Sequence, residues 1–221
     1  FSEMWERFGY YLMIGIFTLY LKDVKAGYAM TEAESADLYG TFIALVFLTP
    51  FIGGLLADRY LGYRKSIIMG GLMMGIGYCL MSVHNIAMLY LSMTLVIVGN
   101  GFFKPNISTL LGNVYTTPQY IKQKDDGYNI FYMGINIGAF VCNFFGAALY
   151  IVYGWGAAFI AAGVGMFIGV AIFLIGTKHY IAFDVKKGVT EKDMSMTRIV
   201  LTIFVPSVIA GILGWMIPGT L

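Results

Sequence analysis

From Ile86 to Ile121 the chain carries a single charged side chain, Lys104. An apolar run of that length must be a spanning helix, because lipid satisfies no backbone polar group and the segment exceeds any barrel strand. The rest of the sequence agrees. It is 59% hydrophobic, only 12% charged, and has a mean hydropathy of +0.77, whereas soluble domains carry about a quarter charged residues. Cys79 and Cys142 lie inside apolar runs and read as buried thiols rather than a disulfide pair. No signal peptide is visible and the first residue is Phe1, so the sequence reads as a fragment.

Apolar stretches and their polar punctuation predict helical spans over 3–21, 35–57, 66–83, 86–115, 127–151, 155–177 and 198–217. A polar stretch at 178–197 reads as a cytoplasmic linker. The expected domains are thus a six-helix bundle over 1–177, the linker, and a seventh helix within 198–221. Abundant glycine, 28 in all, is the ordinary signal of close membrane-helix packing.

Lysine and arginine fix the orientation. Arg59, Arg64, Lys65, Lys122, Lys124, Lys178, Lys186, Lys187, Lys192 and Arg198 fall on one side, and only Lys22 and Lys25 on the other. The positive-inside rule makes the first side cytoplasmic and places the N-terminus there, in a multi-pass protein of the cell (plasma or inner) membrane. The net charge of +2 therefore reflects topology and implies no nucleic-acid partner. Six spans followed by a basic linker are what one half of an inverted-repeat transporter would look like, although no clear sequence repeat joins spans 1–3 to 4–6.

Two cations remain, Arg7 and Lys104, and both fall within spans. Residues 8–21, between Arg7 and Lys22, cover about 21 Å of helix, too little for a hydrocarbon core of about 30 Å. The first span must therefore draw in Glu3, Glu6 and Arg7. With Tyr10 they follow the spacing i, i+3, i+4, i+7 and share one helical face. A charged stripe of that kind should face a bundle interior or a water-filled cavity. The plainer reading, an N-terminal anchor whose arginine snorkels to headgroups, leaves Tyr10 and the second buried cation unexplained. For Lys104 the plainer reading is a marker of the cytosolic edge, yet the uncharged NISTLLGNVY continues beyond it. Pro105 should kink the helix there and free backbone carbonyls. A buried lysine needs a carboxylate, and Glu3 and Glu6 are the glutamates placed inside a span; such a pair has coupled protonation and can serve as a proton site.

Glu3-x-x-Glu6-Arg7-Phe8-x-Tyr10-Tyr11 resembles the first-helix motif of the proton-dependent oligopeptide transporter family, within the major facilitator superfamily. Phe103-Lys104-Pro105-Asn106 resembles its fourth-helix motif, and Tyr128 to Phe140, with Asn136, its fifth-helix signature. Asp58-Arg59-x-x-Gly62 resembles the superfamily's loop 2–3 gating motif. The resemblance covers spans one to five in the right order. It implies an all-α integral membrane fold: the N-terminal six-helix bundle of that superfamily, two inverted three-helix repeats, plus one further helix.

The function implied is proton-coupled symport of di- and tripeptides by alternating access, with protons as the coupling ion and no cofactor or metal. Arg7 and Lys104 would meet the peptide carboxylate, Tyr10 and Tyr11 its backbone, and Asn136 its amino end. Glu3 and Glu6 would couple protons by exchanging salt bridges with Arg7 and Lys104, and Asp58 and Arg59 would tie cytoplasmic helix ends. The partners implied are small peptides, the bilayer and a C-terminal helix bundle. Phe47 stands where many members have a tyrosine, removing one hydrogen bond to substrate, and Gly40 where animal members have a proton-handling histidine. His84 and His179 fall in loops and read as solvated. Other readings are transport of another small anion or metabolite on the same fold, a helical scaffold, and an intramembrane enzyme. The enzyme reading lacks an intramembrane histidine or an HExxH motif.

Overall fold

The computed structural model describes residues 1–185, 194–199, 201 and 205. The chain divides into two units, Phe1–Lys186 and Lys187–Leu221. Within the second, a single helical turn, Met196–Ile199, is described. Most of the expected seventh span, and residues 186–193 of the expected linker, lie outside the described residues.

The first unit contains α1 (Ser2–Lys22), α2 (Glu32–Leu56), α3 (Tyr63–Leu80), α4 (Ile86–Tyr115), α5 (Lys124–Tyr153), α6 (Trp155–Ile175) and a short α7 (Thr177–Tyr180). Among the described residues there is no strand. The helices over Glu32–Leu61, Ile86–Tyr115, Ile121–Tyr153 and Trp155–Ile175 are long and apolar enough to cross a membrane. The chain is thus a multi-pass membrane protein. The first and third expected spans, α1 and α3, are not among those four, and they carry Glu3, Glu6, Arg7 and Lys22, and Arg64 and Lys65.

Local chemistry sets the helix starts. α2 begins at Glu32, earlier than apolarity suggests, because Thr31 and Glu34 form a reciprocal capping box. Asn85 caps α4 by accepting from the backbone N–H groups of Ala87 and Met88 at 2.9 and 3.2 Å. Glycines at φ 82° turn the chain into α3 and α6, at Gly62 and Gly154.

α4 packs on α2 and α3, while α1 packs on α5 and α6, and α3 meets α6. This pattern maps onto itself when α1–α3 are exchanged with α4–α6. The inverted repeat is therefore present in the packing although it is not visible in the sequence. Small residues make it possible: a Cβ at Gly53 would lie 2.0 Å from the Gly101 carbonyl oxygen, and one at Gly138 2.2 Å from that of Met4. α4 also runs unbroken through Pro105. Beside the proline the Asn106 carboxamide donates to the Phe102 carbonyl at 2.8 Å and the Thr109 hydroxyl to that of Pro105 at 2.9 Å, neither of them the Gly101 carbonyl that a backbone N–H at position 105 would have met.

Candidate functional site

α1 is the helix most enclosed by its neighbours, and its first two turns bring charge into the core. Glu3, Glu6 and Arg7 are 5%, 0% and 4% exposed. The Arg7 guanidinium grips Glu6 in a fork: Nη2 donates to Oε1 at 2.6 Å, and Nε donates to Oε2. Nε also lies 3.3 Å from Glu3 Oε1. One buried cation therefore serves two buried carboxylates, a site with one negative charge in excess when both are ionised. Desolvation makes that state expensive, so a proton or another cation stabilises the cluster. The other Glu3 oxygen, Oε2, has no hydrogen-bond partner among the described residues.

Aromatic rings complete the cation's surroundings. The Arg7 guanidinium carbon lies 5.0 Å from the centroid of the Tyr10 ring and 5.9 Å from that of Tyr11. Tyr10 is buried and Tyr11 is 39% exposed. The charged stripe predicted from spacing is thus real, with Tyr11 at its open edge.

Lys104 departs from expectation. It is half-buried and lies within electrostatic reach of Arg7, Glu6 and Glu3. Among the described residues, however, it forms no salt bridge. Its ammonium sits 5.5 Å from the centroid of the Phe47 ring. The carboxylate partner that the sequence reading assigned to Lys104 is therefore absent in this conformation, in which both glutamates lie on Arg7 although Glu3 Oε2 stays unpartnered. Phe47, expected only as a lost hydrogen bond, supplies a π-face instead. Asn136 is exposed, and its carboxamide donates to the Tyr132 carbonyl at 3.0 Å.

A cavity of about 320 Å³ opens at the N-terminal end of α1, lined by Glu3, Ile107, Leu110, Leu111, His179 and Tyr180 among others. His179 is exposed, as expected, but it lies in the short helix α7 rather than in a loop, and it borders the space that reaches Glu3. His84 stacks on Tyr28 with ring centroids 4.7 Å apart.

At the loop 2–3 motif, Ala57–Leu61 forms a π-helical turn that carries Asp58 and Arg59 and ends at Gly62. The group that caps α3 comes from elsewhere: Asp184 Oδ1 accepts the backbone N–H groups of Tyr63 and Arg64 at 3.0 and 3.2 Å. The neighbouring Phe183 carbonyl accepts from the Asn113 carboxamide at 3.3 Å. On the opposite side, Asp23 Oδ2 accepts from Trp155 Nε1 at 2.7 Å, while its Oδ1 accepts from the backbone N–H groups of Lys25 and Ala26. These bonds hold the Asp23 carboxyl below the usual carboxylate range, the indole bond having the largest effect.

Sequence reasoning passed over two buried polar groups. Neither the Tyr78 hydroxyl nor the Asn100 carboxamide has a partner among the described residues. Tyr78, on α3, lies within electrostatic reach of Glu6, Arg7 and Tyr10. For Asn100 the signal was available: a polar residue one helical turn before Lys104 in an apolar run.

The model of the POT family matches residues 64–212. A dipeptide and tripeptide permease A from Citrobacter koseri is 41% identical over 78% of this chain and 34% of its own. Its counterpart from Erwinia pyrifoliae is 35% identical over 97% of this chain and 43% of its own. A crystal structure of the peptide transporter POT in complex with sulfate superimposes with a TM-score of 0.80 at 31% identity, covering 96% of this chain and 44% of the other. The chain thus spans less than half the length of the relatives it matches.

Proposed function

Since the chain belongs to the POT family, we propose that it is part of a proton-coupled symporter that takes up di- and tripeptides by alternating access. The observation that carries this reading is the buried Glu3–Glu6–Arg7 cluster, two carboxylates on one guanidinium, with a second cation within electrostatic reach. The permease names of the relatives support a peptide substrate and argue against an enzyme.

The mechanism follows from charge balance. A peptide carboxylate arriving at Arg7 and Lys104 competes with Glu6 for the guanidinium fork, the best bidentate partner available to it. A displaced glutamate left ionised in the core is costly, so it takes up a proton or moves onto Lys104. Peptide binding and protonation thereby favour each other, which is the thermodynamic content of symport. Tyr10, Tyr11 and Asn136 contact the peptide away from its carboxylate. Phe47 borders Lys104, and Asp58, Arg59 and Gly62 act in the cytoplasmic gate. A second helix bundle supplies the other wall of the cavity and the site for the peptide's amino group. The protein works in the plasma or inner membrane with the start of α1 on the cytoplasmic side, and it uses protons with no cofactor.

The test is uptake of a labelled dipeptide by the full-length protein in vesicles. Accumulation above the external concentration under an inward proton gradient, abolished by an uncoupler, is expected. Accumulation indifferent to the uncoupler would refute proton coupling, and indifference to competing dipeptides would refute the substrate.

A further inference from the structure

Asn100 is fully buried on α4, and neither its Oδ1 nor its Nδ2 meets a hydrogen-bond partner among the described residues. A carboxamide in that condition destabilises the conformation that contains it, and native chains retain few such groups. Its position says where a partner would come from. Asn100, Lys104, Ile107 and Leu111 follow the spacing i, i+4, i+7, i+11 and form one strip along α4. Ile107 and Leu111 line the cavity that Glu3 also lines, so the strip faces the first turns of α1.

Three crossings separate α1 from α4, so the two helices run antiparallel. From Glu3 to Tyr10 is about 10 Å along α1, and from Ile107 back to Asn100 is about 10 Å along α4. With Ile107 taken as level with Glu3, whose cavity it shares, Asn100 falls near the depth of Tyr10, one turn beyond Lys104. The charged groups within electrostatic reach of Lys104 are Glu3, Glu6 and Arg7 of α1; Tyr10 and Tyr78 adjoin that cluster, Tyr11 and Tyr39 adjoin Tyr10, and His179 borders the cavity below.

A carboxamide offers what this arrangement lacks. Lys104 has donors without a carboxylate, and a glutamate displaced from Arg7 is an acceptor without a cation. We propose that Asn100 is a positioning residue of the proton-coupling site, its Oδ1 accepting from the Lys104 ammonium and its Nδ2 donating to the glutamate released by Arg7. It acts through those two groups and keeps them within reach while the ion pairs exchange. In the conformation observed, with both glutamates on Arg7, the bridge is open and the carboxamide is unpartnered. The inference rests on the proton-coupled reading of the site.

The test uses the full-length protein. Asn100→Leu keeps the branching of the side chain and removes both polar atoms, while Asn100→Thr keeps a donor and an acceptor. Infrared difference spectra report the pH at which the buried carboxyls protonate, whether or not the protein transports. In Asn100→Leu this midpoint should move by about one pH unit. Gradient-driven dipeptide accumulation should fall about tenfold, a larger loss than in counterflow, and Asn100→Thr should recover part of both. An unchanged carboxyl midpoint together with an unchanged pH profile of uptake in folded Asn100→Leu would overturn the proposal. Should Asn100→Leu fail to fold, the isosteric Asn100→Asp decides: a fixed carboxylate beside Lys104 should shift the pH optimum of uptake, and an unmoved optimum overturns the proposal. If the wild-type protein accumulates no peptide, the transport reading fails, and the infrared midpoint still decides the role of Asn100.

Discussion

Arg7 and Glu6 are neighbours in sequence, yet their side chains form a bidentate ion pair inside the bundle, with Nη2 of the arginine 2.6 Å from Oε1 of the glutamate. Consecutive helical residues point about 100° apart and do not ordinarily meet. Here the long arginine side chain reaches round to Glu6, while Glu3, one turn away, takes the regular i, i+4 position at 3.3 Å. The pair is local, so no tertiary movement is needed to make or break it. That property suits the exchange of ion pairs proposed for this site.

Replacing Arg7 should be the most damaging change in the site. Arg7→Ala leaves two buried carboxylates without their cation, at a cost of about 3–5 kcal/mol, and removes the fork for a peptide carboxylate. Dipeptide binding by calorimetry should become undetectable, and Arg7→Lys should restore little of it, since an ammonium cannot reproduce the fork. Near-normal binding by Arg7→Ala would show that this face of α1 does not meet substrate.

Glu6→Gln should separate coupling from binding. The amide keeps the shape but cannot carry the proton, so pH-driven accumulation should be lost while counterflow between preloaded vesicles persists. Accumulation equal to wild type would assign the proton to some other group.

Much of this site was legible because membrane helices make charge conspicuous. Glu3, Glu6 and Arg7 stood out as a stripe in an apolar run, and the stripe is buried as the spacing required. What stayed hidden depends on contacts distant in sequence. α3 starts at Tyr63 rather than at residue 66 because Asp184, far along the chain, caps it. Lys104 rests over Phe47 while both glutamates lie on Arg7, an arrangement that no spacing rule expresses. Asn100 was readable in principle, but a lone amide in an apolar run attracts less notice than a charge.

Asp184 offers a direct check on that long-range contact. Asp184→Ala removes the acceptor for two N–H groups at the start of α3, and loss of such a cap costs about 1 kcal/mol. The melting temperature in detergent should fall, and amide exchange at Tyr63 and Arg64 should quicken while the centre of α3 stays protected. Unchanged exchange at those two amides would show that the cap does not form in solution.

Asp23 should give the fold an acid-side pH dependence. Its carboxyl is held low by the Trp155 indole and by two backbone N–H groups, so the folded state binds a proton less readily than the unfolded one. The stabilisation is fully present above the unfolded pKa and is lost as pH falls through the lower folded value. The melting-temperature advantage of wild type over Asp23→Asn should therefore be largest near neutrality and shrink on acidification. An advantage that does not vary with pH would mean that the carboxylate charge plays no part in this contact.

Phe47 is open to a sharper test, because its ring is 69% exposed while its centroid lies 5.5 Å from the Lys104 ammonium. An exposed cation–π contact is worth about 0.5–1 kcal/mol, or roughly two- to fivefold in an equilibrium constant. Phe47→Leu removes the π-face and keeps an apolar side chain, so Lys104 is held less firmly over that surface and is freer to move toward Glu3 or Glu6. Peptide affinity should fall by about that factor, since a carboxylate would then find Lys104 engaged by a glutamate. Phe47→Tyr keeps the ring and adds a hydroxyl that can bond substrate, so affinity should hold or rise. Calorimetric titration with one dipeptide across the three proteins distinguishes the effects: Phe47→Leu should bind more weakly than wild type and Phe47→Tyr should not. Equal affinities in all three would show that the ring neither positions Lys104 nor borders the peptide.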